Sequence, residues 1–375
     1  MIYNLLRMQQ RATWPNDLDT ALKFSSPEAF SISTTKNWDG KLEYTNGSGW
    51  ETWDGKTITS GENENSHYIY IRGTGNSKIT GTTSSDAKWS ITGTNIACNG
   101  DIDLLLDYAT VKSGNHPVMV DNCYYAIFSD CTNLTAAPSL PATTLAKYCY
   151  GSMFSGCTSL ATAPSLPATT LAPYCYSSMF FSCTSLTTAP SLPATTLANS
   201  CYSNMFYNCT SLKTAPSLPA TTLANYCYGS MFYNCTSLKT APSLPATTLE
   251  PQCYSQMFKN CVILLKASSL PATTLASSCY SQMFYGCQNL KTVPSLPATA
   301  LASSCYNSMF QGCTKIKLST TASGTYTKPY RIPESGTGTT ASSALSSMFY
   351  KTGGTFKSTP TINTTYYLDT SNTIV

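Results

Sequence analysis

Cysteine recurs along this chain with a period that leaves little freedom of fold. Cys123, Cys149, Cys175, Cys201, Cys227, Cys253, Cys279 and Cys305 stand 26 residues apart, and a second series, Cys131 through Cys157 to Cys313, follows eight residues behind each. The unit reads CYxxMFxxC and continues TSLxTAPSLPATTLAxx, as in Cys149-Tyr150-Gly151-Ser152-Met153-Phe154-Ser155-Gly156-Cys157. A strict period of this length means stacked coils. One unit cannot bury its own apolar side chains, whereas coils in register bury Leu on Leu, Phe on Phe and Cys on Cys. The column from Phe128 to Phe310 and the column from Leu134 to Leu290, closed by Ile316, are then core ladders. At about 4.8 Å per coil, eight coils give an array roughly 40 Å long.

The stretch MFSGCTSLATAPSLPATTLAKYCYGSMF resembles the BspA-type, treponemal-like leucine-rich repeat of gut bacterial surface and bacteriophage proteins. The resemblance covers about 123–318. It implies a short parallel strand, entered through Phe, Cys and Leu and ending at a proline, and a role in adhesion and binding. Pro138, Pro164, Pro190, Pro216, Pro242 and Pro294 fall inside that strand, and proline lacks the N–H a ladder needs. A short strand breaking into extended, polyproline-like coil is expected. The fold class that follows is a leucine-rich-repeat-like solenoid of eight 26-residue coils with short parallel strands, preceded by a small all-β, sandwich-like domain.

The flanks divide around this array. Residues 1–20 are too short for a domain and read as an N-terminal arm that docks onto a partner, or as a disordered tail. Residues 21–97 alternate apolar and polar between Gly, Asn and Asp turns, as in Tyr68-Ile69-Tyr70-Ile71, which predicts the β-domain. Trp50, Trp53 and Trp89 suit its core, with a carbohydrate platform as the alternative. Residues 98–122 break the period but keep repeat-like residues, an N-terminal cap. After 123–318, residues 319–375 form a C-terminal cap. There Met348-Phe349 marks a degenerate ninth repeat, with Ala344 and Thr352 where the cysteines would stand.

Charge narrows the functional classes. Charged residues are 11% of the chain, against roughly 25% in ordinary soluble domains. Residues 123–375 carry twelve Lys/Arg against four Asp/Glu, and Glu250 is the only acid between Asp130 and Glu334. Lysines arriving about one per repeat are too sparse for a nucleic-acid groove, so no nucleic-acid partner is expected. The first residues show no uninterrupted apolar h-region or small-residue cleavage site, and no stretch approaches the ~18 apolar residues of a membrane span. Together with the resemblance and the modular layout, the missing signal implies a virion or cell-surface component, and one that does not insert into a membrane.

Chemistry on the chain is scarce. C-x7-C every 26 residues does not offer the close pairs a zinc site needs, so neither metal nor cofactor is expected. In-register cysteines hold their Cβ atoms about 4.8 Å apart, beyond the disulfide range, which predicts free, buried thiols. Only His67 and His116 are present, both outside the array, and the array lacks paired carboxylates. No serine has an activating context and no phosphate loop is found, so the chain does not read as an enzyme.

Surface remains, and comparing the copies with each other locates it. Three columns drift. The first includes Tyr207, Tyr233 and Tyr285, the leading members of pairs such as Tyr207-Asn208 and Lys259-Asn260. The second includes Lys213, Lys239 and Lys291, and the third Tyr148, Tyr174 and Tyr226. Tyrosine gives large contact area at small entropy cost, which favours a binding face; tolerant solvent positions are the alternative. Tyr150, Tyr176 and Tyr202 never drift and read as a packed ladder. The candidate partners are a host-surface glycan or protein, or neighbouring virion subunits in a purely structural decoration, with a homo-oligomer possible.

Overall fold

In the computed structural model, residues 14–47 and 49–375 are described; residues 1–13, most of the expected arm, lie outside them. The Cys-to-Cys segment builds each coil of the array. Every second N–H there reaches the next coil: Tyr150 N–H donates to Cys175 O at 3.1 Å, Ser152 to Ser177 O at 2.8 Å, Phe154 to Met179 O at 2.9 Å and Gly156 to Phe181 O at 2.7 Å. The intervening N–H groups turn back three residues, Gly151 onto Tyr148 O and Met153 onto Tyr150 O. Such a chain must reverse its twist regularly, and every fourth residue has positive φ: Tyr148 at 57°, Ser152 at 53°, Gly156 at 75°. Side chains therefore point in and out in pairs. Cys149-Tyr150 and Met153-Phe154 are buried, while Ser152 and Ser155-Gly156 reach the surface.

This differs from the expected position of the strand. After each leucine the coils touch only through isolated parallel bridges such as Thr162 to Thr188 and Thr188 to Thr214. Regular strands in this place occur only near the ends, β10 (Leu134–Ala136), β11 (Thr292–Val293) and β12 (Lys317–Ser319). The prolines explain it, because each deletes a donor from the stretch. The continuous ladder lies in the cysteine segment instead, which holds none of the repeat's prolines.

Inside, columns of like residues stack. Tyr150, Tyr176 and Tyr202 are essentially inaccessible, with ring centroids 5.8 to 5.9 Å apart. Phe154, Phe180 and Phe206 repeat at 5.6 to 5.7 Å. The second cysteine of each unit adds a link: Cys183 Sγ donates to Phe154 O at 3.0 Å and Cys209 Sγ to Phe180 O at 3.0 Å, one coil earlier. All seventeen cysteines are buried and unpaired. Burial pushes the Cys209 and Cys261 thiols up to about 12, so they stay protonated and unreactive at neutral pH.

Ahead of the array, β1 (Leu22–Ser26), β3 (Lys41–Thr45), β4 (Glu51–Trp53), β6 (Gly61–Asn63), β7 (Ser66–Thr74) and β9 (Ile96–Asn99) form an antiparallel sheet. Its path β9-β1-β7-β3-β4 carries β6 on the side of β7. A second sheet has the order β5-β2-β8, from β2 (Ser31–Ser33), β5 (Ile58–Thr59) and β8 (Ser90–Thr92). Trp38 stacks on Trp53 at 5.5 Å, and Trp53 meets Trp89 edge-on at 5.1 Å. Trp53 and Trp89 are buried, and the Arg72 guanidinium covers the Trp50 ring at 3.9 Å. These positions leave no open tryptophan platform for a sugar.

The boundary drawn at 97/98 cuts through β9, which pairs in parallel with β10 of the first coil. Closure of the first coil also begins earlier than residue 98. Ile79 N–H donates to Cys123 O and Trp89 N–H to Ile127 O, ending the ladder at carbonyls that no preceding coil serves. At the far end Tyr306, Phe310 and Gly312 N–H groups donate to Ala344, Met348 and Tyr350 carbonyls, and Phe349 stacks on Phe310 at 5.5 Å. Phe349 N–H in turn donates to Ser358 O, and Ser347 N–H to Thr359 Oγ1. The terminal coil is thus covered by chain, as a solenoid end requires. The remaining strands, β13 (Tyr326–Arg331), β14 (Gly353–Gly354) and β15 (Thr365–Asp369), make a sheet with β12, of order β13-β15-β12-β14. The last, β16 (Thr373–Ile374), returns to pair with β11.

Candidate functional site

The first drifting column is a surface aromatic ladder. Phe181 and Tyr207 stack at 4.7 Å with planes 11° apart, and Tyr207 and Tyr233 at 4.4 Å and 10°. Lys259 takes the next rung, its Nζ 5.6 Å from the Tyr233 ring centroid and 4.7 Å from that of Tyr285. Gln282 Oε1 accepts from this ammonium at 2.7 Å, and partial burial lowers the lysine's pKa. Neither Lys259 nor Phe181 stood among the candidate residues; the lysine's occurrence in a tyrosine column was the available signal. Rings stacked in this way cover each other's faces, and their half-exposed edges carry the positive end of the ring quadrupole.

Lys213, Lys239 and Lys291 are exposed and hold the same place in their coils. Lys213 N–H donates to Thr187 O at 3.2 Å, Leu265 N–H to Lys239 O at 2.9 Å, and Lys291 N–H to Leu265 O at 3.1 Å. Like charges one coil apart repel, so the column is a strip of uncompensated positive charge.

Tyr148, Tyr174 and Tyr226 need a different explanation. Their φ angles are 57°, 60° and 54°, a region costly for a bulky side chain. Each occupies one of the regular reversals, where Tyr148 N–H donates to Pro173 O and Tyr226 N–H to Pro251 O. Tyr148 stacks on Tyr174 at 4.6 Å, while Tyr226 lies over Gly229, where a Cβ would come within 2.3 Å of its ring. The residues following the aromatic ladder obey the same backbone demand. Gly156, Ser182, Asn208, Asn234, Asn260 and Gly286 all have positive φ. Asn234 Nδ2 donates to Asn208 Oδ1 at 2.6 Å, and Asn208 Nδ2 to Ser182 Oγ at 3.2 Å. Their variation is therefore not free: it runs among residues that tolerate a left-handed turn. The restriction to Gly, Ser and Asn was readable in the repeats and points to backbone geometry before it points to a ligand.

Away from the array, Asp101, Asp103 and His116 meet with their donor atoms within 4.8 Å of one another, the one such group with which the described residues could hold a metal ion. The carboxylates are already engaged. Asp103 Oδ1 accepts from Tyr124 Oη at 2.9 Å, His116 Nδ1 lies 3.1 Å from Asp103 Oδ2, and Asp101 Oδ1 accepts from the Asp103 N–H at 2.9 Å. Burial, then the neighbouring Asp101, pushes the Asp103 carboxyl up to about 6. The group anchors the first rung of the interior tyrosine column.

Among the described residues no helix is long and apolar enough to cross a membrane. No curated protein matches the chain, and no solved structure does. The BspA type leucine rich repeat region matches in six copies, over residues 121–265 and 199–330, which together cover more than half of the sequence. With stacked 26-residue coils behind that match, the chain belongs to the BspA type leucine-rich repeat family.

Proposed function

We propose that this chain is a non-catalytic binding protein that displays its repeat array at the surface of a cell or particle, in keeping with the surface binding and adhesion associated with its family. The observation that carries the reading is the outer ladder of Phe181, Tyr207, Tyr233, Lys259 and Tyr285, together with the exposed Lys213, Lys239 and Lys291 that recur six residues after it in their coils. Neither column is needed to close the core, which the buried Tyr, Phe, Leu and Cys columns complete by themselves. Half-exposed aromatics are enriched in protein-recognition surfaces, and unopposed cations steer an acidic partner toward them. In its finer form the proposal is a virion component whose array meets a host surface while the flanks tie it to the particle.

A binding assay with the full chain on bacterial cells tests this. Tyr207→Ala, Tyr233→Ala and Tyr285→Ala together should abolish cell coating while leaving the folding transition within about 2 kcal/mol of the parent. Coating that survives the triple change moves the site elsewhere. Binding to particles alone, with no cell coated, favours the structural decoration.

A further inference from the structure

Three coils depart from the common pattern in both outer columns. Those starting at Cys123 and Cys149 carry small residues there, Ser129 with Thr135 and Ser155 with Ala161, whereas the coil starting at Cys253 carries a large cation and a large apolar residue. That coil also replaces the usual Thr-Ser, Thr and Pro with Val262-Ile263, Lys266 and Ser268. In the aromatic column it puts Lys259 between Tyr233 and Tyr285, and in the lysine column it puts Leu265 between Lys239 and Lys291. A lysine has entered the aromatic ladder and a leucine the lysine strip.

The leucine does not serve the core. Leu265 is 42% exposed, and the core leucine of its coil is Leu264, fully buried one residue earlier. Its backbone bonds to Lys239 and Lys291 hold that apolar side chain between two lysines in register. Lys259 is fixed by the Gln282 oxygen and by ring contacts on both sides, so its ammonium is placed, with little rotamer freedom left to lose on binding. The nearest acid in sequence is Glu250, the only one between Asp130 and Glu334.

Resting on the binding role proposed above, we infer that the Cys253 coil is the centre of the recognition surface and takes an extended protein segment carrying an apolar side chain flanked by carboxylates. Leu265 receives the apolar group, and Lys239, Lys259 and Lys291 the carboxylates. The ring geometry argues against a neutral glycan, because sugar rings stack on aromatic faces, and here those faces are turned toward neighbouring rungs. The exposed leucine argues against a sulfated polysaccharide, which has nothing apolar to offer it.

The test gives the two outer positions of this coil the residues of its neighbours. Lys259→Tyr with Leu265→Lys restores both columns and leaves net charge unchanged, so general electrostatic attraction is held constant. Fluorescence anisotropy on the full chain uses three probes: a short peptide alternating Glu and Leu, the same peptide with Ser for Leu, and heparin. The Glu-Leu peptide should bind the parent at least about tenfold more tightly than the Glu-Ser peptide and lose about tenfold on the double variant, with Leu265→Ser losing a similar factor. No binding of the Glu-Leu peptide at millimolar concentration, equal binding by parent and double variant, or heparin binding more tightly than the peptide would each overturn the inference. Cell coating separates this inference from the broader reading: a double variant that coats cells like the parent, while the triple tyrosine variant does not, sinks the coil assignment alone.

Discussion

One tyrosine column runs the length of this array, a second at the same period holds tyrosine in three of the eight coils, and the two behave as opposites. The inner one, Tyr124 to Tyr306, is buried and unvarying, with rungs 5.6 to 5.9 Å apart. The outer one, around Tyr207 and Tyr233, is half-exposed, closes to 4.4 Å, and gives way to Ser129, Ser155, Phe181, Lys259 or Gln311 in other coils. Residue type and spacing are shared, so neither explains the difference. What separates the columns is whether a rung has solvent as an alternative neighbour. An inner ring removed leaves a cavity, whereas an outer ring removed leaves water.

The sharpest way to break that comparison is a pair of truncations in one coil. Tyr202→Ala should cost about 3–5 kcal/mol in urea unfolding, as large-to-small changes in closed cores do, and Tyr207→Ala no more than about 1 kcal/mol. In a solenoid the inner change should also split the transition, because each coil leans only on its neighbours. Equal losses at the two positions would show that the outer ladder is structural and would remove the basis for a binding face there.

Next in size is a pH effect at the first rung of the inner column. Tyr124 hydrogen-bonds to Asp103, whose side chain is 1% exposed and whose carboxyl is raised to about 6 from the ordinary 3.8. A carboxyl raised by folding binds its proton more tightly in the native state. It therefore favours the fold below about pH 4, and that contribution is lost as pH climbs through about 6. Just over two pH units at 1.36 kcal/mol each make about 3 kcal/mol. Stability measured from pH 4 to 7 in a chelating buffer should fall, and Asp103→Asn should flatten the slope. A slope unchanged in Asp103→Asn assigns the loss to other groups.

Much of this could be read in the sequence. The 26-residue period named the stacked coils, and the inner columns followed from which residues never change. The ladder's position could not be read the same way, because Cys-Tyr-x-x-Met-Phe has neither the alternation of a strand nor the periodicity of an ordinary helix. Its fourfold in-and-out rhythm arises from left-handed residues at Tyr148, Ser152 and Gly156, which leave only a weak compositional trace. The same cause bears on the reading of surface: Tyr148, Tyr174 and Tyr226 drift at a left-handed backbone position, and so are poorer evidence of a ligand than Tyr207 and Tyr233. The closure of the first coil by Ile79 and Trp89 was hidden because it uses backbone groups, and these look alike in any sequence.

The cysteine columns give a third test, on chemistry shared by every coil. Denaturing titration without reductant on fresh protein should find nearly all seventeen thiols reactive, and native titration almost none, since burial and the raised pKa both suppress attack. Half or fewer thiols found after denaturation would mean disulfides. Cys209→Ala should then cost about 1–2 kcal/mol, the loss of one sulfur's packing and of its hydrogen bond to Phe180 O. Rupture of the array by so small a truncation would mean that the thiol contacts, not the aromatic columns, hold the coils in register.

The smallest expected effect separates backbone demand from recognition on the outer face itself. Gln252 has φ 56° in the column where other coils carry Tyr148, Tyr174 and Tyr226, and Gln256 has φ 56° one reversal later. Glycine removes the Cβ conflict at such a site but loosens the unfolded chain, so the two effects oppose each other. Gln256→Gly should raise stability by up to about 1 kcal/mol, and Gln252→Gly by a similar amount, both read as a shift in the urea midpoint at constant slope. Neither change touches the aromatic ladder or the lysine strip, so binding should survive both. A Gln252→Gly variant that gains stability but loses binding would return the Tyr148 column to the recognition surface. It would also show that strain is tolerated there for the sake of the side chain.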